Sequence, residues 1–316
     1  MADSNPETTN LTKQTEPPPS KYPPLRLRKI DRDDRVRKLP MRILVLGMCR
    51  TGTSSIIAAL RKLDYTPHQM REILTNPSQI PLWQEALTLT LIPPSERPSH
   101  LRTRKAYNRE DFDKLLGDYD VVTDVPSVVF WKQLIDAYPE AKVILTNRPY
   151  DEWEHSMQSS IWQMFTWQLF HYARVLGVTA WAPLLDLLHT VFRVHNGNNY
   201  GGPKAKKAYE EHYDNIRAYV PAGNLLELGP EQGWKPLCEF LDKPVPKESY
   251  PLMQENQAMT AQMTRSWSTM VRYLVLMVLM PGGVAIIGAA FIYWRHTIWD
   301  GLDGVLSWIE PYARLS

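Results

Sequence analysis

The stretch of residues 42–55, Arg-Ile-Leu-Val-Leu-Gly-Met-Cys-Arg-Thr-Gly-Thr-Ser-Ser, constrains this chain more than any other. Residues 43–46 form a short apolar run that is typical of a buried parallel strand and that stops at Gly47. After a loop of small and hydroxyl residues, residues 55–63 have the apolar spacing of an amphipathic helix. A strand, a tight loop and a helix in this order direct unpaired backbone N–H groups and a helix dipole at an anion. The stretch therefore predicts a phosphate-binding loop.

The loop departs from the usual nucleotide-triphosphate pattern at one position. Residues 47–54 have the spacing G-x-x-x-x-G-K-[ST], but Thr53 stands where that pattern has lysine, and the cation is Arg50 instead. A P-loop kinase or NTPase remains an alternative, although it requires a lysine at this position. A nicotinamide dehydrogenase does not fit, because Gly47 and Gly52 lack the third glycine of the G-x-G-x-x-G motif.

Length, charge and cysteine content restrict the possible fold and partners of this chain. The 316 residues suit one α/β domain of about 200–250 residues with extensions, and a net charge of +2 argues against a nucleic-acid partner. Two cysteines, Cys49 and Cys238, are too few for a disulfide framework and favour a reducing compartment. Residues 1–40 are polar and rich in proline and charge, without the apolar run of a signal peptide, and are predicted to form a disordered tail.

Two further apolar runs end in polar side chains that we expect beside the loop. The run at 120–126 carries Asp124, and the run at 141–149 carries Arg148, with Ser156 eight residues later on the next helix. The carboxyl ends of parallel strands line the ligand crevice of an open α/β sheet. Asp124 is therefore predicted next to the loop, and Arg148 and Ser156 are predicted to converge on a second phosphate. The alternative for Arg148 is a surface ion pair with an acidic residue at 151 or 152.

The helical region at 153–194 is unusually rich in Trp, Phe, Leu and His. These side chains either wall an apolar ligand pocket or belong to the core. Additional strands at 65–70 and 225–228 and a short helix at 233–241 complete a layered α/β arrangement.

Residues 273–294 contain no charged side chain and are bracketed by Arg272 and Arg295. About twenty apolar residues suffice to cross a bilayer, so a membrane segment is predicted at 271–295, followed by a short amphipathic tail at 296–316. On this interpretation the protein is a single-pass membrane protein, with its catalytic part in the cytosol.

The phosphate loop, the Arg148–Ser156 pair and the Gly-Trp-Lys-Pro-Leu-Cys run at 233–238 together resemble the sulfotransferases, in particular a fungal P-loop sulfotransferase-like group. The resemblance covers about residues 41–256. It implies a three-layer α/β/α P-loop fold with a short parallel sheet and a helical insertion. It also implies 3′-phosphoadenosine 5′-phosphosulfate (PAPS) as the sulfuryl donor.

The resemblance assigns roles to individual residues. The loop residues matching the family's 5′-phosphosulfate pattern are Arg50, Thr51, Gly52, Thr53 and Ser54, while Arg148 and Ser156 match its 3′-phosphate contacts. Asp124 occupies the place of the family's general base; alternatively, it only orients Arg50. The expected acceptor is a hydrophobic molecule with a hydroxyl group, and no metal is expected, because Arg50 supplies the positive charge. The remaining alternative is a non-catalytic, membrane-anchored nucleotide-binding protein.

Overall fold

The computed structural model describes residues 27–166, 182–229 and 231–253, together with 268, 272, 280 and 282–295. A sheet of five parallel strands in the order β2-β3-β1-β4-β5 runs through the described region. The strands are β1 Ile43–Val45, β2 Pro67–His68, β3 Val121–Val122, β4 Lys142–Thr146 and β5 Leu225–Leu228.

Helices cover both faces of this sheet because alternate strand side chains point to opposite sides. Ile43 and Val45 belong to one core cluster, and Leu44 lies in the other. The α-helices of the described ranges up to residue 253 are α1 Thr53–Lys62, α2 Met70–Thr75, α3 Ile80–Thr90, α4 Arg109–Leu115, α5 Trp131–Ala137, α6 Tyr150–Gln158, α7 Gln163–Thr166, α8 Ala182–Asn196, α9 Gly202–Tyr219 and α10 Trp234–Leu241. The 3₁₀ turns are Ile30–Arg32, Pro77–Gln79, Pro94–Glu96, Ser99–Leu101, Ser127–Phe130 and Ala222–Asn224.

More helices pack on one face of the sheet than on the other. Helices α1 and α10 pack on the face that carries Ile43 and Val45. Helices α3, α4, α5, α6, α8 and α9 pack on the other face, around Trp83, Trp153 and Trp162, which are all fully buried. The prediction of an α/β fold with a parallel sheet is therefore confirmed. Trp162 belongs to the larger core cluster, in agreement with the interpretation of the aromatic region as core and not as a ligand pocket. Residues 167–181 of that region lie outside the described residues.

The segment before β1 differs from the predicted disordered tail over residues 27–40. Ile30 is fully buried, and the carboxylate of Glu85 on α3 accepts hydrogen bonds from the backbone N–H groups of Lys29 and Ile30 at 2.7 and 3.1 Å. Arg28 forms an ion pair with Asp111 at 2.7 Å. The charged sequence of this segment predicts a solvated linker, but in the structure its backbone N–H groups and Arg28 bind acidic residues of the α/β domain. Residues 1–26 lie outside the described residues.

The prediction of a membrane segment at 271–295, and with it of a single-pass membrane protein, is wrong. Among the residues that the structure describes, no helix is both long and apolar enough to cross a bilayer. Residues 273–279, residue 281 and the predicted amphipathic tail at 296–316 lie outside the described residues.

Candidate active site

The carboxyl edge of the sheet gathers the polar residues that follow its strands. The loop at 47–52 leaves β1, Asp124 follows β3, and Arg148 follows β4. Because β1 lies between β3 and β4, the loop is flanked by Asp124 on one side and by Arg148 on the other. This strand order places three of the predicted site segments at neighbouring positions.

Gly47 allows β1 to turn into the loop against the end of β4. A Cβ atom at this position would lie 2.1 Å from Thr146 Oγ1 and 2.2 Å from the Thr146 carbonyl oxygen. No side chain fits at such distances, so only glycine allows this close approach of two neighbouring strands.

Arg50 is the buried cation of the loop. Its backbone is left-handed, with φ at 70°, and only 6% of the residue is exposed. Its Nε donates a hydrogen bond of 3.2 Å to Oγ of Ser156 on α6. Arg50 and Ser156, which the sequence predicted at the site from separate segments, are therefore in direct contact.

The amino terminus of α1 adds a second source of positive potential. Gly52 caps the helix in a left-handed conformation, with φ at 91°, and Thr53 and Ser54 form its first turn. The first N–H groups of a helix have no partner within it, and the helix dipole places partial positive charge at this end. The first turn contains no acidic residue. An anion beside this turn would be favoured by both effects.

Asp124 adopts a strained position at the end of β3. Its φ is 65°, and its Oδ1 accepts a 2.8 Å hydrogen bond from the N–H of Val125. Its carbonyl oxygen accepts a 3.1 Å hydrogen bond from the N–H of Val128, which lies in the 3₁₀ turn Ser127–Phe130. Left-handed conformations of non-glycine residues cluster at functional sites, and Asp and Asn tolerate them best.

Arg148 stands at the same edge but forms an ion pair. Its Nε donates to the carboxylate of Glu152 at 3.0 Å, one of the two acids that the sequence offered as an alternative partner. Its carbonyl oxygen accepts a 2.8 Å hydrogen bond from the hydroxyl of Tyr209. The structure therefore joins Arg50 to Ser156 directly, and it places Arg148 nearby with its guanidinium on Glu152.

The inner side of the loop is held by Thr51, which the sequence predicted at the site, and by Thr146 and Trp153, which it did not single out there. Thr51 Oγ1 donates to the Met48 carbonyl at 2.6 Å and lies 2.8 Å from Thr146 Oγ1. Trp153 Nε1 donates to the Cys49 carbonyl at 2.8 Å. The polar Thr146 at the end of an apolar strand was a usable signal, whereas Trp153 has no sequence feature that distinguishes it from other core aromatics.

Tyr213 on α9 completes this support. Its hydroxyl donates to the Thr146 carbonyl at 2.8 Å and accepts from the N–H of Met48 at 3.2 Å. Burial raises the pKa of the Tyr213 hydroxyl well above 10, so the group stays protonated and keeps both bonds at neutral pH.

Two histidines lie behind the loop in the neutral form, the buried His212 and the half-buried His195. His212 Nε2 lies 2.8 Å from the Leu46 carbonyl, which can only accept, so this nitrogen carries the proton. The His195 ring lies 5.6 Å from it. Burial lowers the pKa of His212 to about 4, and burial together with the neighbouring His212 lowers the pKa of His195 to about 3. Neither ring is therefore charged at neutral pH.

Comparison with known proteins agrees with this arrangement. Residues 42–259 match the family model described as the sulfotransferase domain. The chain is also 38% identical over 216 residues to "Ava biosynthesis cluster protein M" from Aspergillus versicolor, an alignment that covers 67% of this chain and 80% of the relative. The matched region contains the sheet, the phosphate loop, Asp124, Arg148 and Ser156. The chain therefore belongs to the sulfotransferase domain family.

Proposed function

We propose that the protein is a PAPS-dependent sulfotransferase that moves a sulfuryl group to a hydroxyl group of a hydrophobic small molecule. The observation that carries this proposal is the contact between Arg50 and Ser156, at 3.2 Å. It joins a buried cation in the loop after β1 to a hydroxyl on the helix after β4, the two segments that the family uses for the two phosphate ends of its donor.

The residues present fit such a donor. The left-handed Arg50 and Gly52 shape the loop, and the first turn of α1 supplies backbone N–H groups and the hydroxyls of Thr53 and Ser54 for a 5′-phosphate. Arg148 and Ser156 would hold the 3′-phosphate. Arg148 would then exchange Glu152 for the phosphate, and this exchange costs little because the ion pair is accessible to water.

Sulfuryl transfer requires mainly that the protein position the donor and the acceptor and stabilise the developing negative charge. PAPS would supply the sulfuryl group: a bond from the acceptor oxygen to sulfur would form as the bond from sulfur to the 5′-phosphate oxygen breaks, and the adenosine 3′,5′-bisphosphate would leave. Arg50 neutralises the negative charge that develops on the bridging oxygen, as arginines and metal ions do in phosphoryl transfer. Asp124 accepts the proton of the attacking hydroxyl, which requires an oxygen–oxygen distance of about 2.6–3.2 Å to the acceptor.

Two features favour this reaction and this class of acceptor. Thr53 in place of the Walker lysine removes the residue that NTPases use on the β- and γ-phosphates. The relative from Aspergillus versicolor carries the name of a biosynthesis cluster protein, which supports a role in secondary metabolism. The acceptor proposed here is accordingly an apolar metabolite with a free hydroxyl group.

Calorimetry tests the donor. Adenosine 3′,5′-bisphosphate, the product that remains after transfer, is titrated into the protein in parallel with ATP–Mg²⁺ and NADP. The proposal requires that the bisphosphate bind much more tightly than the other two. Binding of ATP–Mg²⁺ alone would instead favour a kinase or NTPase.

Mass spectrometry tests the transfer. The protein is incubated with isotopically labelled PAPS and an extract of apolar fungal metabolites, and the products are searched for a labelled sulfate ester. Tight binding of the bisphosphate without any sulfated product would favour a nucleotide-binding protein without catalytic activity.

A further inference from the structure

We infer that Trp153 and Tyr213 are positioning residues that orient the backbone of the phosphate loop toward the donor. This inference rests on the proposed function, since it assigns these side chains to the binding of the donor's 5′-phosphate. Neither side chain is expected to touch the donor, because both are almost completely buried.

Trp153 holds the peptide between Cys49 and Arg50. Its carbonyl oxygen accepts the indole N–H of Trp153, a fully buried side chain in the core beneath the loop. A trans peptide holds its C=O and N–H on opposite sides. The bond to Trp153 therefore turns the N–H of Arg50 away from the core and toward the open edge of the sheet.

The same bond bears on the conformation of Arg50. A left-handed backbone is unfavourable for arginine and persists only where the surroundings hold it. The orientation of the peptide before Arg50 is part of what defines that conformation. Trp153 thus fixes both the direction of a loop N–H and the starting point of the Arg50 side chain, whose Nε reaches Ser156.

Tyr213 fixes the peptide between Gly47 and Met48 against β4. Its single hydroxyl accepts from the N–H of Met48 and donates to the Thr146 carbonyl, so the start of the loop and the end of the neighbouring strand share one partner. Thr51 bonds the Met48 carbonyl on the other side of that residue. The inward-facing groups of the loop are thereby satisfied by side chains, and the peptides cannot turn over without breaking buried hydrogen bonds.

The chain offers a matched control for each residue. Trp162 is fully buried and its ring lies 5.2 Å from that of Trp153, yet its Nε1 has no hydrogen-bond partner within the described residues. Tyr138 is a buried tyrosine whose hydroxyl also makes two hydrogen bonds, to Arg37 and Asp113, before β4 at the opposite edge of the sheet. Replacement of either by phenylalanine removes the same atoms without touching the loop.

The experiment measures binding and amide exchange for Trp153→Phe, Tyr213→Phe, Trp162→Phe and Tyr138→Phe. Calorimetry with adenosine 3′,5′-bisphosphate is expected to show about a tenfold rise in Kd for the first two variants and less than about a twofold change for the controls. The stoichiometry reports the folded fraction separately from Kd. A purely structural role would lower the stoichiometry and the melting temperature and leave Kd unchanged.

Hydrogen–deuterium exchange provides a readout that needs no ligand. The amides of residues 47–52 are expected to exchange faster in Trp153→Phe and Tyr213→Phe than in the wild type, and at the wild-type rate in the two controls. Unchanged loop exchange in Trp153→Phe, or an equal increase in Trp162→Phe, would overturn the inference. Failure of the wild-type protein to bind the bisphosphate, with the exchange pattern as expected, would instead count against the proposed function alone.

Discussion

Arg50 is buried, has a left-handed backbone and donates a hydrogen bond through Nε to Ser156 on α6. Burial strengthens its interaction with any anion that reaches it, because the surroundings screen charge less than water does. The bond to Ser156 also fixes the plane of the guanidinium. Arg50 therefore supplies both a positive charge and a fixed orientation of its guanidinium. A substitution that keeps the charge but changes the shape of the side chain can separate these two contributions.

Replacement Arg50→Lys keeps the charge but loses the Nε donor and the planar fork. We expect kcat with PAPS to fall by about 10²-fold, in line with the loss of one group that stabilises transition-state charge. Arg97→Lys is the matched control, because Arg97 is also buried and its Nε donates to the Ile92 carbonyl away from the site. Steady-state kinetics at saturating acceptor measures both variants. Equal rates for the wild type and Arg50→Lys would exclude a catalytic role for the guanidinium.

Replacement Asp124→Asn distinguishes the two roles left open for this carboxyl. Asparagine tolerates the left-handed backbone and its Oδ1 can still accept from Val125 N–H, so the fold is preserved. If Asp124 is the base, kcat falls by about 10²–10⁴-fold, while the Kd of adenosine 3′,5′-bisphosphate is unchanged. A parallel rise in that Kd would show instead that Asp124 acts by orienting Arg50. Asp64→Asn, at another left-handed but exposed aspartate, is the control.

The unit formed by β1, the loop and α1 depends on its neighbour β4. Backbone pairing aligns Val45 with Ile144, and the next step of the chain brings Gly47 against Thr146. Thr146 contacts the loop directly through its hydroxyl, which lies 2.8 Å from Thr51 Oγ1, and its carbonyl shares the Tyr213 hydroxyl with the N–H of Met48. The end of β4 therefore serves as the floor of the phosphate loop.

Replacement Gly47→Ala tests this close approach. The added Cβ would lie 2.1 Å from Thr146 Oγ1, so the strand ends must separate, at a cost of about 2–4 kcal/mol in the free energy of unfolding. Denaturation with urea measures this loss. The control is Gly223→Ala, since a Cβ there would meet no atom within 4 Å. Equal unfolding midpoints for the two variants would contradict the steric argument.

Three histidines make the stability of the domain dependent on pH. Burial lowers the pKa of His68 to about 4, as it does for His212, and lowers that of His195 to about 3. Each ring is neutral in the folded protein and has an ordinary pKa near 6.5 when unfolded. The unfolded chain therefore binds more protons between about pH 6.5 and 4, and the folded state loses stability as the pH falls through this window.

We expect the free energy of unfolding to decrease from pH 7 to pH 4, with each histidine contributing up to about 3 kcal/mol. Urea denaturation at half-unit pH steps measures the slope. His68→Gln is expected to reduce that slope, whereas His155→Gln, at an exposed position, is expected to leave it unchanged. A stability that stays flat over this range would contradict the buried neutral state of these rings.

Much of the local structure was predictable from the order of residues. The apolar run before Gly47 and the helix after Gly52 were recognised because hydrophobic period and glycine position are properties of consecutive residues. The strand at 225–228 and the helix at 233–241 were recognised for the same reason. The predicted membrane segment was wrong, since the described part of the chain contains no helix long and apolar enough to cross a bilayer.

The sequence by itself determined the loop between β1 and α1, the strands that lead into the candidate site and the membership of the sulfotransferase domain family. Only the tertiary structure decided which distant residues meet there: Ser156 reaches Arg50 across 106 positions of the chain, and Tyr213 reaches Met48 across 165. The strand order β2-β3-β1-β4-β5 creates these encounters. That order arises from how helices pack on both faces of the sheet, and packing depends on all the residues together.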